Sequence, residues 1–136
     1  MSDRPKLTTF RVEAFSSENR SEGGAAAWEI NVANAIEIGV AVPTVPGGAI
    51  LGIVKLRITS TAQNSQDAGI TATFKGEYVG RFNYPPSSTE QEVTALVATE
   101  DHQYLLAAQV FPLAMSHFRR ELLSTGFDAK NLPFGL

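Results

Sequence analysis

The chain has 136 residues, of which 43% are hydrophobic and 18% charged, and a net charge of −3. That length suits one domain with its own core, residues 1–136, and leaves no room for two. Mild acidity with no basic cluster beyond "FRRE" argues against nucleic acid as a partner, and the absence of cysteine excludes disulfides, thiolate metal sites and a cysteine nucleophile.

The opening "MSDRPKLTTF" has no apolar signal core. The longest apolar run, "AILGIV", falls far short of the roughly 20 residues that span a bilayer, so the expectation is a cytoplasmic chain without membrane insertion.

Strands are expected over about 7–84. In "TTFRVEAF" Phe10, Val12 and Ala14 alternate with Arg11 and Glu13, and "SSENRSEGGAAA" then reads as a linker. From Trp28 the even positions Ile30, Val32, Ile36, Ile38, Val40 and Val42 are apolar, which predicts one long strand or two collinear ones. "PTVPGG" breaks the chain before "GIVKLRITSTAQ", where Val54, Leu56 and Ile58 oppose Lys55, Arg57 and Thr59. The turn "NSQDAG" leads to "ITATFKGEYVGRFNYP", with Ile70, Ala72, Phe74, Tyr78, Phe82 and Tyr84 on one face.

Helices are expected over about 88–125, followed by a short C-terminal extension, 126–136. "SSTEQEVTALVA" opens with hydroxyl residues followed by acids, and "EDHQYLLAAQVF" and "PLAMSHFRRELLST" keep helical spacing until Gly126. Pro112 stands within this run; since a proline inside a helix costs about 3 kcal/mol, it is expected to open a second segment, with a kinked continuous helix as the alternative. Strands first and helices last predict an α+β domain: a four-stranded antiparallel sheet with a long kinked helical region packed on one face.

Signals for catalysis are weak. His102 in "EDH" lacks spaced metal ligands and reads as a solvated helix start. Ser116 beside His117 has neither a positioned acid nor a Gly-x-Ser-x-Gly turn. Gly47 and Gly48 lack the Lys-Ser/Thr ending of a phosphate loop. No enzyme activity, metal or cofactor is expected. One sheet face with its helices leaves Trp, Phe and Ile to spare, which points to a partner-binding apolar surface.

The order of motifs resembles the SecB family of protein-export chaperones. "EYVGRFNY", Glu77 to Tyr84, is similar to the family's last strand. "QVFPLAM" keeps Phe111, Pro112 and Ala114 of its helix motif, with Leu113 and Met115 replacing a Tyr and an Arg. "STGFDAKNLPF" resembles the segment ending that helix, and Trp28 stands where the family often has an aromatic. The likeness covers about 7–136, and the family's further helix and acidic tail find no counterpart before Leu136.

The resemblance implies a homo-oligomer, dimer or tetramer, that holds unfolded or precursor polypeptides without ATP before delivery to SecA. Trp28, Val32, Ile36, Tyr78 and Phe82 are the implied client-binding residues. Glu13 is the motor-docking candidate, with Thr9 where a second acid would stand. Phe111, Met115, Phe118 and Leu122 are expected to form the oligomer interface. The alternative is a SecB-like adaptor or structural subunit for one partner, such as an antitoxin or a phage protein.

Overall fold

The computed structural model describes residues 4–19, 28–44, 48–64 and 71–124. Residues 20–27 of the expected linker, most of the "NSQDAG" turn together with Ile70, the centre of "PTVPGG" and the residues from 125 onward lie outside the described residues.

Four strands, β1 (Lys6–Asn19), β2 (Trp28–Ala41), β3 (Leu51–Asn64) and β4 (Thr71–Asn83), precede two helices, α1 (Glu90–Val97) and α2 (Glu100–Ser124). The sheet is antiparallel throughout, in the order β1-β4-β3-β2, so β4 and β3 are central and β1 and β2 are its edges. Ser16–Asn19, expected in the linker, continue β1 because they pair with Ala72–Lys75.

The expected alternation holds in β2, β3 and β4 and slips in β1. Val54, Leu56 and Ile58 are buried while Lys55 and Arg57 are exposed, as period two requires. In β1 the register shifts between Leu7 and Thr9 and again between Val12 and Ala14. Each bulge swaps the side that following residues face. Leu7, Phe10, Val12 and Phe15 therefore line up with Phe82, Gly80, Tyr78 and Gly76 on the helix side, and Ala14 pairs with Glu77 on the opposite side.

The helices begin at threonines. The Thr89 hydroxyl accepts from the Glu92 amide at 3.2 Å and donates to the Glu92 carboxylate at 3.0 Å, and it caps α1. The break between α1 and α2 falls at Ala98–Thr99, not at Pro112: Thr99 donates its amide and hydroxyl to the Leu96 carbonyl at 2.9 and 2.7 Å and accepts from the His102 amide at 3.4 Å. Pro112 lies inside α2. Ala108 and Pro112 are both partly exposed, so the carbonyl deprived of its usual donor is within reach of water, and buried apolar groups on both sides hold the helix together.

Leu106, Val110, Phe111, Ala114, Met115, Phe118 and Leu122 of α2 pack on the helix side of β3 and β4, against residues that include Leu56, Ile58, Phe74, Tyr78 and Phe82. Each large side chain so buried contributes about 1.5–3 kcal/mol. A smaller cluster, Ile50, Tyr84 and Val93, with Val40 and Val97 against it, closes the end of the sheet under α1.

Glycine allows the close approach of helix to sheet. A Cβ on Gly80 would lie 2.6 Å from Val110 Cγ2, and one on Gly76 would lie 2.5 Å from the Tyr78 hydroxyl and 2.7 Å from its ring. Gly76→Ala is expected to destabilise the fold by about 1–3 kcal/mol, because the ring is pinned from above and has nowhere to move. The measurement is the denaturant midpoint at constant m-value; an unchanged midpoint would show that the ring is free to shift.

Candidate functional site

Tyr78 and Phe82 are 1% and 0% exposed, under α2, so the chain's own helix fills the place that a client would take. Phe111, Met115, Phe118 and Leu122 likewise face the chain's own sheet, which leaves none of them to meet a second subunit. Their periodicity marked a buried stripe, and the stripe is satisfied within one chain.

Two histidines of α2 bond to tyrosines, Tyr78 in β4 and Tyr84 just beyond its end. Tyr84 Oη lies 2.8 Å from His102 Nε2, with the rings 5.8 Å apart, and Tyr78 Oη lies 3.0 Å from His117 Nδ1. His117 Nε2 is 3.5 Å from Glu121 Oε1. If the Tyr78 hydroxyl donates to Nδ1, the proton of the neutral ring sits on Nε2 and points at the carboxylate, so each link of the chain is satisfied. Phe10 stacks on Tyr78 at 5.9 Å, and Phe15 meets the edges of His117 and Phe118 at 5.7 and 5.9 Å.

Burial, and secondarily the Glu121 carboxylate, raises the Tyr78 phenol above its ordinary value; burial alone raises Tyr84. Both stay protonated donors near neutrality, which suits a fastening and not a nucleophile or base. His102 is thus no solvated helix start: it is buried, and its signal in the sequence was a histidine one helical turn before the apolar Leu106.

Among the described residues, one partly uncovered apolar surface lies at the β2 edge. α2 begins beside Ile36 and Ile38 and runs across the sheet until His117 and Phe118 reach Phe15 of β1. Val32, Ile36, Ile38 and Val40 therefore remain half-buried on the helix side of β2. Ile36 and Ile38, with Glu100, Gln103, Tyr104 and Ala107, line a groove of about 420 Å³, in which Tyr104 is 57% exposed. Tyr104 was missed in the sequence because it shares the helix periodicity with its buried neighbours. Trp28 opens β2, opposite Asn64, and its side chain lies outside the described residues.

The two edges differ. β2 pairs with β3 without a bulge and has no Lys, Arg or Pro over its whole length, whereas β1 carries two bulges together with Lys6 and Arg11. Bulges, proline and charged side chains, lysine above all, blunt an edge against further pairing; β2 has no bulge, proline or basic residue, and its charges are Glu29 and Glu37.

On the sheet face turned away from the helices, Glu77 lies 3.4 Å from Arg57 and 3.5 Å from Lys75. Glu13 sits in the second bulge of β1, 3.8 Å from Arg11, and Thr9 lies opposite Arg81. Among the described residues no three metal-ligating side chains converge, and no helix is long and apolar enough to cross a membrane.

No protein-family model matches the chain, and no curated protein sequence does. Among solved structures it is similar to the SecB-like chaperone of Mycobacterium tuberculosis in complex with a ChAD peptide from the HigA1 antitoxin: the TM-score is 0.61 at 18% identity, over 96% of this chain and 91% of that one. The chain has a SecB-like fold. The likeness is one of backbone architecture.

Burial lowers the pKa of His102, so the unfolded chain binds a proton more readily than the folded one. The stability this contributes is complete above the ordinary histidine value, about 6.5, and is lost as pH falls through it. The melting temperature is expected to drop on acidification through that window, and less steeply in His102→Gln, which keeps a partner for Tyr84. Parallel slopes for the two proteins would remove His102 as the cause.

Proposed function

We propose that the chain is an ATP-independent holding chaperone that takes extended segments of unfolded or precursor polypeptides at the β2 edge. The observation that carries this reading is an unblunted edge strand bordered by a half-buried apolar row and the exposed Tyr104, on a SecB-like fold. A client laid along β2 would add a strand by main-chain hydrogen bonds, which are indifferent to sequence, and place alternate side chains on Val32, Ile36 and Ile38. Weak contacts of roughly 25 cal/mol per Å² then sum along a long client. No bond is made or broken.

In this reading Val32 and Ile36 keep the client-binding role and Tyr104 joins them. Tyr78 and Phe82 support the groove from beneath. Assembly into a cytoplasmic dimer or tetramer would use the outer side of α2, where Leu113 and Leu123 are exposed, because the inner stripe is already filled. Delivery to SecA at Glu13 has less support: the carboxylate is neutralised by Arg11, on a face of mixed charge.

A second reading, an adaptor for one partner, is favoured by the antitoxin peptide on the mycobacterial neighbour. The two separate by experiment. In molar excess over thermally unfolded luciferase, the chain is expected to suppress light scattering, and Tyr104→Ser with Ile38→Ser to lose most of that effect while keeping the native mass. A chain that never slows aggregation is not a general holdase, and binding confined to one partner would make it an adaptor.

A further inference from the structure

The sheet face opposite the helices has no cover among the described residues, and its charge is unevenly placed. The register sets Arg81 between Thr9 of β1 and Ile53 of β3. One row away Val79 lies between Arg11 and Lys55, and in the other direction Lys6 lies beside Asn83 and Leu51. All four cations are exposed. The carboxylates at this end are Glu13, held by Arg11 at 3.8 Å, and Glu37, opposite Lys55 in the ladder. Lys6, Lys55 and Arg81 form no ion pair among the described residues, so this end of the face keeps an excess of positive charge on a chain whose net charge is −3.

Between these cations the surface is apolar. Val79 is only 4% exposed although it points away from the core, and Leu51 and Ile53 are half-buried. Their ladder neighbours on β2, Ala41 and Gly39, add almost no side chain. The result is a shallow apolar floor with cations on its border and no aromatic side chain among the described residues of this face.

We propose that this basic end of the outer sheet face docks an acidic polypeptide segment in which carboxylates and aliphatic residues take turns at every second position, so that both lie on one face of the extended chain. An extended segment presents side chains to one face every second residue, at about 7 Å spacing, close to the spacing of Arg81 and Val79 along β4. Its aliphatic groups would cover Ile53 and Val79 while its carboxylates meet Arg81 and Lys6. Charge complementarity of this kind fixes partner choice and speeds encounter more than it adds affinity. Nucleic acid fits less well, because single strands bind through aromatic stacking that this face cannot supply. The surface is on the opposite side of the sheet from the client groove, so the two readings stand or fall separately.

The test is fluorescence anisotropy with a labelled peptide carrying Glu and then Leu or Val in turn at every second position, with Ser between them, run beside the same peptide with Lys for Glu and a single-stranded DNA oligonucleotide. The Glu peptide is expected to bind at least about tenfold more tightly than the Lys peptide, to weaken with salt, and to lose about tenfold in Lys6→Glu/Arg81→Glu. Tyr104→Ser should leave this binding unchanged. Both reversed positions are exposed, and Lys6→Gln/Arg81→Gln gives a milder variant should the reversal unfold the chain. Equal binding of the two peptides, indifference to the charge-removed variants, or DNA that binds as tightly and displaces the Glu peptide would overturn the proposal.

Discussion

The packing of α2 on the aromatic column of β4 is the contact on which the rest of the structure depends. Phe74, Tyr78 and Phe82 stand on one side of that strand, and Gly76 and Gly80 between them leave hollows for the Tyr78 ring and for Val110. Dispersion and burial supply most of the energy, and the two tyrosine–histidine bonds supply direction. An aromatic column alone would let the helix slide by a turn at little cost; a buried phenol that must meet a ring nitrogen at 2.8 or 3.0 Å fixes the register.

That register determines what stays open. A four-stranded sheet is about 19 Å wide and a helix with its side chains about 10 Å across, so a single helix cannot cover it. α2 crosses from Ile36 and Ile38 of β2 to Phe15 of β1 and protects the centre completely. On the helix side of the sheet the remaining half-buried aliphatics belong to the edge strands, where a second chain can reach both side chains and backbone. The surplus apolar surface is thus a consequence of layer geometry before it is a matter of composition.

The sheet was legible in the sequence because period-two alternation over β2, β3 and β4 is long and the central strands have one face buried and the other charged. β1 was only partly legible: two bulges exchange its faces, and nothing in "LTTFRVEAF" marks where an extra residue is absorbed. The α2 stripe was equally clear, yet periodicity reports burial without saying against what. Phe111 and Phe118 could be assigned to a second subunit from the sequence, and the structure gives them to the same chain. Pro112 invited a break because local cost was set against local gain. The apolar groups buried on either side of it outweigh about 3 kcal/mol, and Thr99, with a hydroxyl able to cap, takes the break instead.

The contrast between the two edges bears most directly on function. An exposed strand with no bulge, proline or basic residue is a hazard, since it offers unpaired backbone groups to any extended chain. β1 shows that this sheet can be defended by ordinary means, two bulges and basic side chains on its surface. β2, of the same length, has none of these, and it keeps its apolar row half-covered and adjacent to Tyr104. Where one edge of a sheet is blunted and the other is not, the unblunted edge is where binding is to be sought. The unblunted β2 edge, beside the groove that the placement of α2 leaves at Ile36 and Ile38, is the physical basis of the proposed holding role.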